Sequence, residues 1–198
     1  MSKLNFQFIK IEDATIGIVE TSHVSLNEID IDQLSHSDKE SFIKIRNDRR
    51  KKEWLISRML LSKILNHYPQ INYLDSGKPI LDNNSHHISI THSKNHIAIM
   101  VSKEKEVALD MEDTNRKISH LESRFINNEE QVNNNLDYFK IWCAKEAIFK
   151  LLDHPNIELK TETTTDLKNE TITFKRTSET FKLNFITKNN DLLCYIIR

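Results

Sequence analysis

The 198-residue sequence has few of the residues that build several familiar sites. Its two glycines, Gly17 and Gly77, stand far apart, which excludes both a G-x-G-x-x-G dinucleotide turn and a GxxxxGK[ST] phosphate loop. A bound phosphate must therefore be held by side chains, ordinary turns or helix ends. The two cysteines, Cys143 and Cys194, are also distant, so neither a disulfide framework nor a CxxC metal site is indicated. Charge of one sign is missing as well: 28 Lys and Arg face 29 Asp and Glu, a formal net charge of -1, so no global field exists for gripping nucleic acid and none is expected as a partner. No apolar run approaches the ~20 residues of a membrane helix, so the chain is not expected to span a bilayer. The N-terminal MSKLNFQFIKIED alternates apolar and polar positions without the continuous apolar core of a secretory signal, and the expected compartment is cytoplasmic.

What is present reads as a globular chain, 38% hydrophobic and 29% charged, long enough for one compact domain or two small ones. Leu4, Phe6 and Phe8 alternate, as do Ile16, Ile18 and Glu20 beyond the Asp13-Ala14 turn, which predicts a hairpin. Ser37 and Glu40 have capping-box spacing and open a long helical stretch. In it Trp54, Leu55, Met59, Leu60, Ile64 and Leu65 recur at helical spacing up to Tyr68-Pro69, with a bend near Asn47. Asp75 to Pro79 is a turn by composition, and strands are expected at His87–Thr91, His96–Ser102 and Val107–Met111. Short helices at Ser119–Phe125 and Asn128–Val132 and a long one at Leu136–Leu152, ending before Pro155, come next. Ile157–Leu159, Thr171–Phe174, Phe181–Ile186 and Leu192–Ile197 are β-rich. The expected fold is α/β in the α+β sense, with strands around a long helix in each of two halves, residues 1–104 and 105–198.

Strand period 2 puts Asp110 and Glu112 of Val107-Ala108-Leu109-Asp110-Met111-Glu112 on one face, with Leu109 and Met111 toward the core. The carboxylates read either as a solvated strand edge or as an oxygen site for Mg²⁺, which keeps several waters and takes substrate phosphate oxygens. On the long helix Trp142, Glu146 and Lys150 form one stripe beside the apolar stripe Phe139, Cys143, Ala147 and Leu151. Glu146 and Lys150 are a surface pair in one reading and a partly enclosed functional pair in the other. Ile90-Thr91-His92-Ser93 ends a strand with hydroxyl, imidazole and hydroxyl in succession, a phosphate contact or a structural end. Lys78, in Ser76-Gly77-Lys78-Pro79, is a phosphate hook or a solvated cation. His86, His87, His92 and His96 lack zinc-site spacing, and Arg49-Arg50-Lys51-Lys52 reads as a solvated helix face.

The order of these segments carries more than any one of them. S-G-K-P, then I-x-I-T-H-S, then V-A-L-D-M-E, then W-C-A-K-E-A-I-F-K resembles the 4'-phosphopantetheinyl transferase superfamily, in particular its longer, surfactin-synthetase-activating type. That family shows a GKP turn, a strand ending S-H-S, a strand reading G-I-D-x-E and a helix reading W-x-x-K-E-A-x-x-K, in this order. The four motifs span residues 77 to 150, and R-x-x-E-W-L-x-x-R at Arg50 to Arg58 is similar to the family's first-half helix.

The resemblance implies two similar α/β halves packed as a pseudo-dimer, hence a monomer, with coenzyme A between them. It also implies Mg²⁺-dependent transfer of phosphopantetheine from coenzyme A to a serine of an acyl or peptidyl carrier protein, releasing adenosine 3',5'-bisphosphate. Carried over by position, Asp110, Glu112 and Glu146 would be the Mg²⁺ carboxylates, and Glu146 or a metal-bound water would deprotonate the carrier serine. Lys150 would sit by the diphosphate, while Lys78, Thr91, His92 and Arg58 match coenzyme A contacts and Trp142 and Lys145 look supporting. The carrier surface is expected near Phe125 and Leu151, with Arg124 and Lys117 meeting an acidic helix. Ala108 stands in place of the family glycine, Thr91 in place of serine, and Ser76 in place of the frequent aromatic before GKP. Competing readings are a non-catalytic homologue that binds coenzyme A or a carrier, and an unrelated Mg²⁺-dependent phosphate-ester hydrolase.

Overall fold

The computed structural model describes residues 4–26, 31–32, 34–118, 121–154 and 156–198. The chain divides into two compact units, Met1–Glu104 and Lys105–Arg198. Among the described residues all strand pairs are antiparallel and long helices accompany the sheets, so the chain is a mixed α/β protein of α+β type.

In the first unit the hairpin forms as the alternation predicts, β1 (Phe6–Ile11) pairing with β2 (Ala14–Glu20) from Phe6↔Val19 to Ile11↔Ala14. Helix α1 (His36–Lys44) is capped by Ser35, whose hydroxyl accepts from the Asp38 amide, so the cap lies two residues before the expected Ser37. The expected bend is a full break. Ile45 is extended, and Asn47 caps a second helix, α2 (Asp48–Leu65), by accepting from the Arg50 amide at 3.0 Å. Asn66 ends α2 in the left-handed region, φ 60. The short strands β3 (Ile71–Tyr73) and β4 (Pro79–Leu81) pair with each other. Strands β5 (His87–His92) and β6 (His96–Ser102) complete a four-stranded sheet in the order β1-β2-β6-β5.

Helix α2 lies across β2 and β6, sealing Leu55, Ile56, Leu60 and Leu61 from solvent. Gly17 of β2 is where the helix comes closest: a Cβ there would sit 2.8 Å from Leu60 Cδ1 and 3.0 Å from Ile64 Cδ1. Gly17→Ala is therefore expected to lower stability by about 1–3 kcal/mol through overpacking, measured by urea unfolding. An unchanged midpoint would show that α2 can lift without loss.

The second unit begins with β7 (Val107–Asp113) and a single helical turn, α3 (Glu122–Phe125). Ser119, expected to open that helix, and Pro155, expected to follow the long one, lie outside the described residues. So do Met1, Ser2 and Lys3 of the N-terminal run. Residues 128–132 form a turn and extended chain rather than a helix, with Glu130 turned inward at 8% exposure. Helix α4 (Asn135–Leu152) is capped by Asn134, which accepts from the Leu136 and Asp137 amides, and stops at Asp153 in the left-handed region.

Beyond α4, Ile157–Leu159 is not a strand. Leu159 opens the short helix α5 (Leu159–Glu162), and the strand that follows is the threonine-rich β8 (Thr163–Asp166). Strands β9 (Thr171–Phe174) and β10 (Glu179–Lys182) join β8 in the order β10-β9-β8. The apolar run expected as one strand breaks at buried Leu183, whose amide turns to the Glu170 carbonyl, and resumes as β11 (Asn184–Lys188) in another sheet. With β12 (Asp191–Ile197) the order there is β11-β12-β7. Helix α4 packs on β7 and β12, and its Phe139, Ile141, Ala144, Ala147 and Ile148 are fully buried.

Candidate active site

Two places in the fold gather the chemistry-bearing side chains, one in each unit. In the second unit the registers of β7 and α4 create the first. Ala108, Asp110 and Glu112 share a strand face, and Ala108 belongs to the apolar core built with α4. The carboxylate face is thus the one covered by the helix, which is why Asp110 is only 7% exposed, while Leu109 and Met111 are buried on the opposite face. This corrects the expectation that the apolar pair faces the core alone.

From α4, Lys150 reaches down to β7, its Nζ donating to Asp110 Oδ1 at 2.8 Å and to the Leu109 carbonyl at 3.1 Å. Two turns earlier Trp142 Nε1 donates to Glu112 Oε1 at 2.8 Å, and Arg116 lies 3.1 Å from the same oxygen. Glu146 sits between Trp142 and Lys150 on the stripe. Burial, and then the negative charge of Asp110, push its carboxyl up to about 7, against the opposing pull of Lys150. Burial and Asp110 also raise Glu112. A carboxyl titrating near neutrality beside a lysine is a proton acceptor suited to work at physiological pH.

The donor chemistry of Asp110, Glu112 and Glu146 fits a hard cation, since all three supply carboxylate oxygens, and the burial and neighbouring negative charge that raise Glu146 are what a cation would offset. Among the described residues no three His, Cys, Asp or Glu side chains are gathered closely enough to hold an ion; Asp110 is paired with Lys150, and Glu112 with Trp142 and Arg116.

Lys145, adjacent to Glu146, points the other way. Its ammonium is wholly enclosed, 2.8 Å from Glu130 Oε1 and donating to the carbonyls of Phe125 at 2.6 Å and Leu159 at 3.3 Å. Glu130 in turn accepts from the amides of Thr165 and Asn127, both at 2.9 Å. The Leu159 carbonyl also accepts from the Thr163 hydroxyl four residues on, and at 157–159 the chain runs into α5 rather than along a sheet. Phe125 and Leu151 are 1% and 2% exposed, so neither belongs to an exposed docking face, whereas Lys117 and Arg124 are exposed.

The second place lies within the first unit: a groove of about 780 Å³ lined by Lys44, Arg46 and Arg50 together with Trp54, Tyr73 and His92. The break between α1 and α2 builds it, presenting Lys44 and Arg46 on either side of Ile45 and Arg50 from the first turn of α2. His92 Nε2 lies 3.7 Å from Glu53 Oε2, and Glu53 is also paired with Arg49 at 3.1 Å. Gly77 and Pro79, flanking Lys78, line the groove as well. Gly77 adopts φ 88, which glycine allows, and so lets its amide reach the Leu74 carbonyl at 2.8 Å while Lys78 remains half-buried.

Of the contacts predicted in this unit His92 lines the groove, whereas Lys78, Thr91 and Arg58 do not. Thr91 is 4% exposed on the strand face opposite Ile90 and His92, and Arg58 is 3% exposed and held internally. Sequence reasoning did not single out Lys44, Arg46 or Arg50 as binding residues. The available signal was their placement on both sides of the Asn47 cap, with Arg50 and Trp54 four residues apart.

The two places define a mixed α/β protein with a helix-borne carboxylate and lysine facing a D-x-E strand, and a basic aromatic groove. No protein-family model matches the chain. It is 31% identical over 115 residues to the 4'-phosphopantetheinyl transferase AcpT of Salmonella typhimurium, covering 51% of this chain and 58% of that protein. Against the 4'-phosphopantetheinyl transferase AcpT of Escherichia coli K12 the identity is 30% over 115 residues, 51% of this chain and 57% of the relative. The chain thus spans little more than half the length of the curated relatives it matches. These likenesses bear out the resemblance to the 4'-phosphopantetheinyl transferase superfamily carried by the four motifs.

Proposed function

We propose that the protein is a 4'-phosphopantetheinyl transferase that moves phosphopantetheine from coenzyme A to a serine of an acyl or peptidyl carrier protein. The observation that carries this reading is the place of Glu146 on α4, one helical turn from Trp142, which donates to Glu112 at 2.8 Å, and one from Lys150, which donates to Asp110 at 2.8 Å. The proposal includes the pseudo-dimeric pairing of the two halves, a monomeric chain and a cytoplasmic setting.

In this reading the serine hydroxyl attacks the pantetheine-bearing phosphorus of the coenzyme A diphosphate. A new P–O bond forms to the carrier, the P–O bond to the other phosphate breaks, and adenosine 3',5'-bisphosphate leaves with that oxygen. Glu146 takes the serine proton on its carboxylate. Lys150 sets an ammonium beside the oxygens on which charge develops, where burial strengthens its effect. Mg²⁺, held by Asp110, Glu112 and Glu146, would supply further neutralisation of the diphosphate. Lys44, Arg46, Arg50, Lys78 and His92 supply cationic and hydrogen-bonding groups for the nucleotide phosphates. Thr91 and Arg58 back the groove.

The test is intact-mass analysis of an apo acyl carrier protein and an apo peptidyl carrier domain after incubation with coenzyme A, Mg²⁺ and the protein. The expected result is a mass gain of one phosphopantetheine, lost when Mg²⁺ is chelated. Coenzyme A binding without transfer to either carrier would favour the non-catalytic reading, and absence of both would overturn the assignment.

A further inference from the structure

Helix α1 delivers Lys44 to the groove, yet among its described residues the one that is buried carries a charge, Asp38. Asp38 Oδ1 accepts from Arg58 Nε at 3.0 Å, and the two side chains are 11% and 4% exposed. The Arg58 guanidinium carbon lies 3.3 Å from the centre of the Trp54 ring, and Nη1 donates to the Trp54 carbonyl at 3.4 Å. Phe42 of α1 packs against the same indole with ring centres 5.8 Å apart. Trp54 is itself a wall of the groove. The helix is thus held by an ion pair and a stacked ring rather than by an apolar stripe, and that assembly ends where Lys44, Arg46 and Arg50 converge.

We infer that Arg58 is a positioning residue for anion recognition: the Asp38–Arg58–Trp54 assembly fixes the corner between α1 and α2 so that Lys44, Arg46 and Arg50 act on one phosphorylated ligand. This rests on the nucleotide reading of the groove, and it differs from a direct Arg58 contact in the sign of one effect. Removing the Asp38 charge makes the neighbourhood of a cationic groove more positive, so electrostatics alone predicts tighter anion binding. A positioning role predicts the reverse, because the guanidinium loses its partner and the corner loses its anchor.

The experiment uses the full chain and measures equilibrium binding of adenosine 3',5'-bisphosphate over a range of salt concentrations, at a temperature where each variant is folded by circular dichroism. Asp38→Asn is expected to weaken binding by about tenfold or more and to flatten its salt dependence, as cations no longer converge on the ligand. A purely structural role would lower the folded fraction and leave the salt slope of the folded protein intact. Arg58→Lys, which keeps the charge but loses the planar stack, is expected to weaken binding similarly. Affinity equal to or tighter than the parent chain in Asp38→Asn overturns the proposal. If Asp38→Asn does not fold, Asp38→Glu tests the geometry alone, since it retains the charge while displacing the guanidinium: weaker binding is expected, and unchanged affinity overturns the proposal. If the parent chain itself fails to bind the nucleotide, the nucleotide reading falls. The positioning claim is then read from amide exchange over residues 36–47, which must accelerate in the variant for the claim to stand.

Discussion

Glu146→Gln is expected to reduce phosphopantetheine transfer by about 10³-fold, within the range usual for loss of a general base, while leaving coenzyme A binding nearly intact. The same substitution has an opposite effect on stability. In the folded protein burial and Asp110 raise the Glu146 carboxyl from its ordinary 4.5 to about 7. A group raised on folding contributes stability fully present below about pH 4.5 and lost as pH climbs through 7. Above that pH a buried, poorly compensated carboxylate opposes folding by up to about 3 kcal/mol. Glutamine has the same shape and no charge, so the metal-free variant should be more stable than the parent at pH 8 and equal to it near pH 4.5. Urea unfolding at the two pH values checks this, and adding Mg²⁺ at pH 8 should stabilise the parent more than the variant. Equal midpoints at pH 8 would mean that Glu146 is not under electrostatic load.

Glu130→Gln is expected to destabilise the second unit by about 3–5 kcal/mol, the effect of leaving an ammonium buried without its countercharge. Both side chains of the Lys145–Glu130 pair are at zero exposure, and the pair ties the carbonyls of Phe125 and Leu159 and the amides of Asn127 and Thr165 to the middle of α4. Lys145→Met should be similarly damaging because Glu130 is then the stranded charge. The double variant Glu130→Gln/Lys145→Met should recover a large part of the loss, since no unpaired charge remains. Denaturant unfolding of the three variants measures the coupling. A single-variant loss below about 1 kcal/mol, the level of an exposed pair, would show that water reaches the ammonium.

The two site-bearing elements were legible because their signals are local. Asp110 and Glu112 alternate with apolar residues along one strand, and Trp142, Glu146 and Lys150 recur every fourth residue along one helix. The helix cap was legible in kind but not in position: Ser35 and Ser37 lie 3.1 Å apart through their hydroxyls, and only the path of the chain decides which one meets the Asp38 amide. The strand expected at 157–159 and the helix expected at 128–132 share one feature, that each supplies a partner to the buried Lys145. Lys145 lies 15 residues beyond Glu130, and nothing within either segment announces that a buried ammonium will claim the Leu159 carbonyl while Glu130 is drawn inward.

What the sequence determined by itself was the periodic elements, the chemical types on their faces and the order of motifs that carries the superfamily resemblance. Periodicity and composition are properties of neighbours along the chain. Tertiary structure decided which charges face ligand and which face protein. It enclosed Arg58 against Asp38 and Trp54 while bringing Lys44, Arg46 and Arg50 to a groove, although all four are cations within 15 residues of one another. Desolvation and pairing fix the role of a charge, and both depend on groups that only the folded chain brings together.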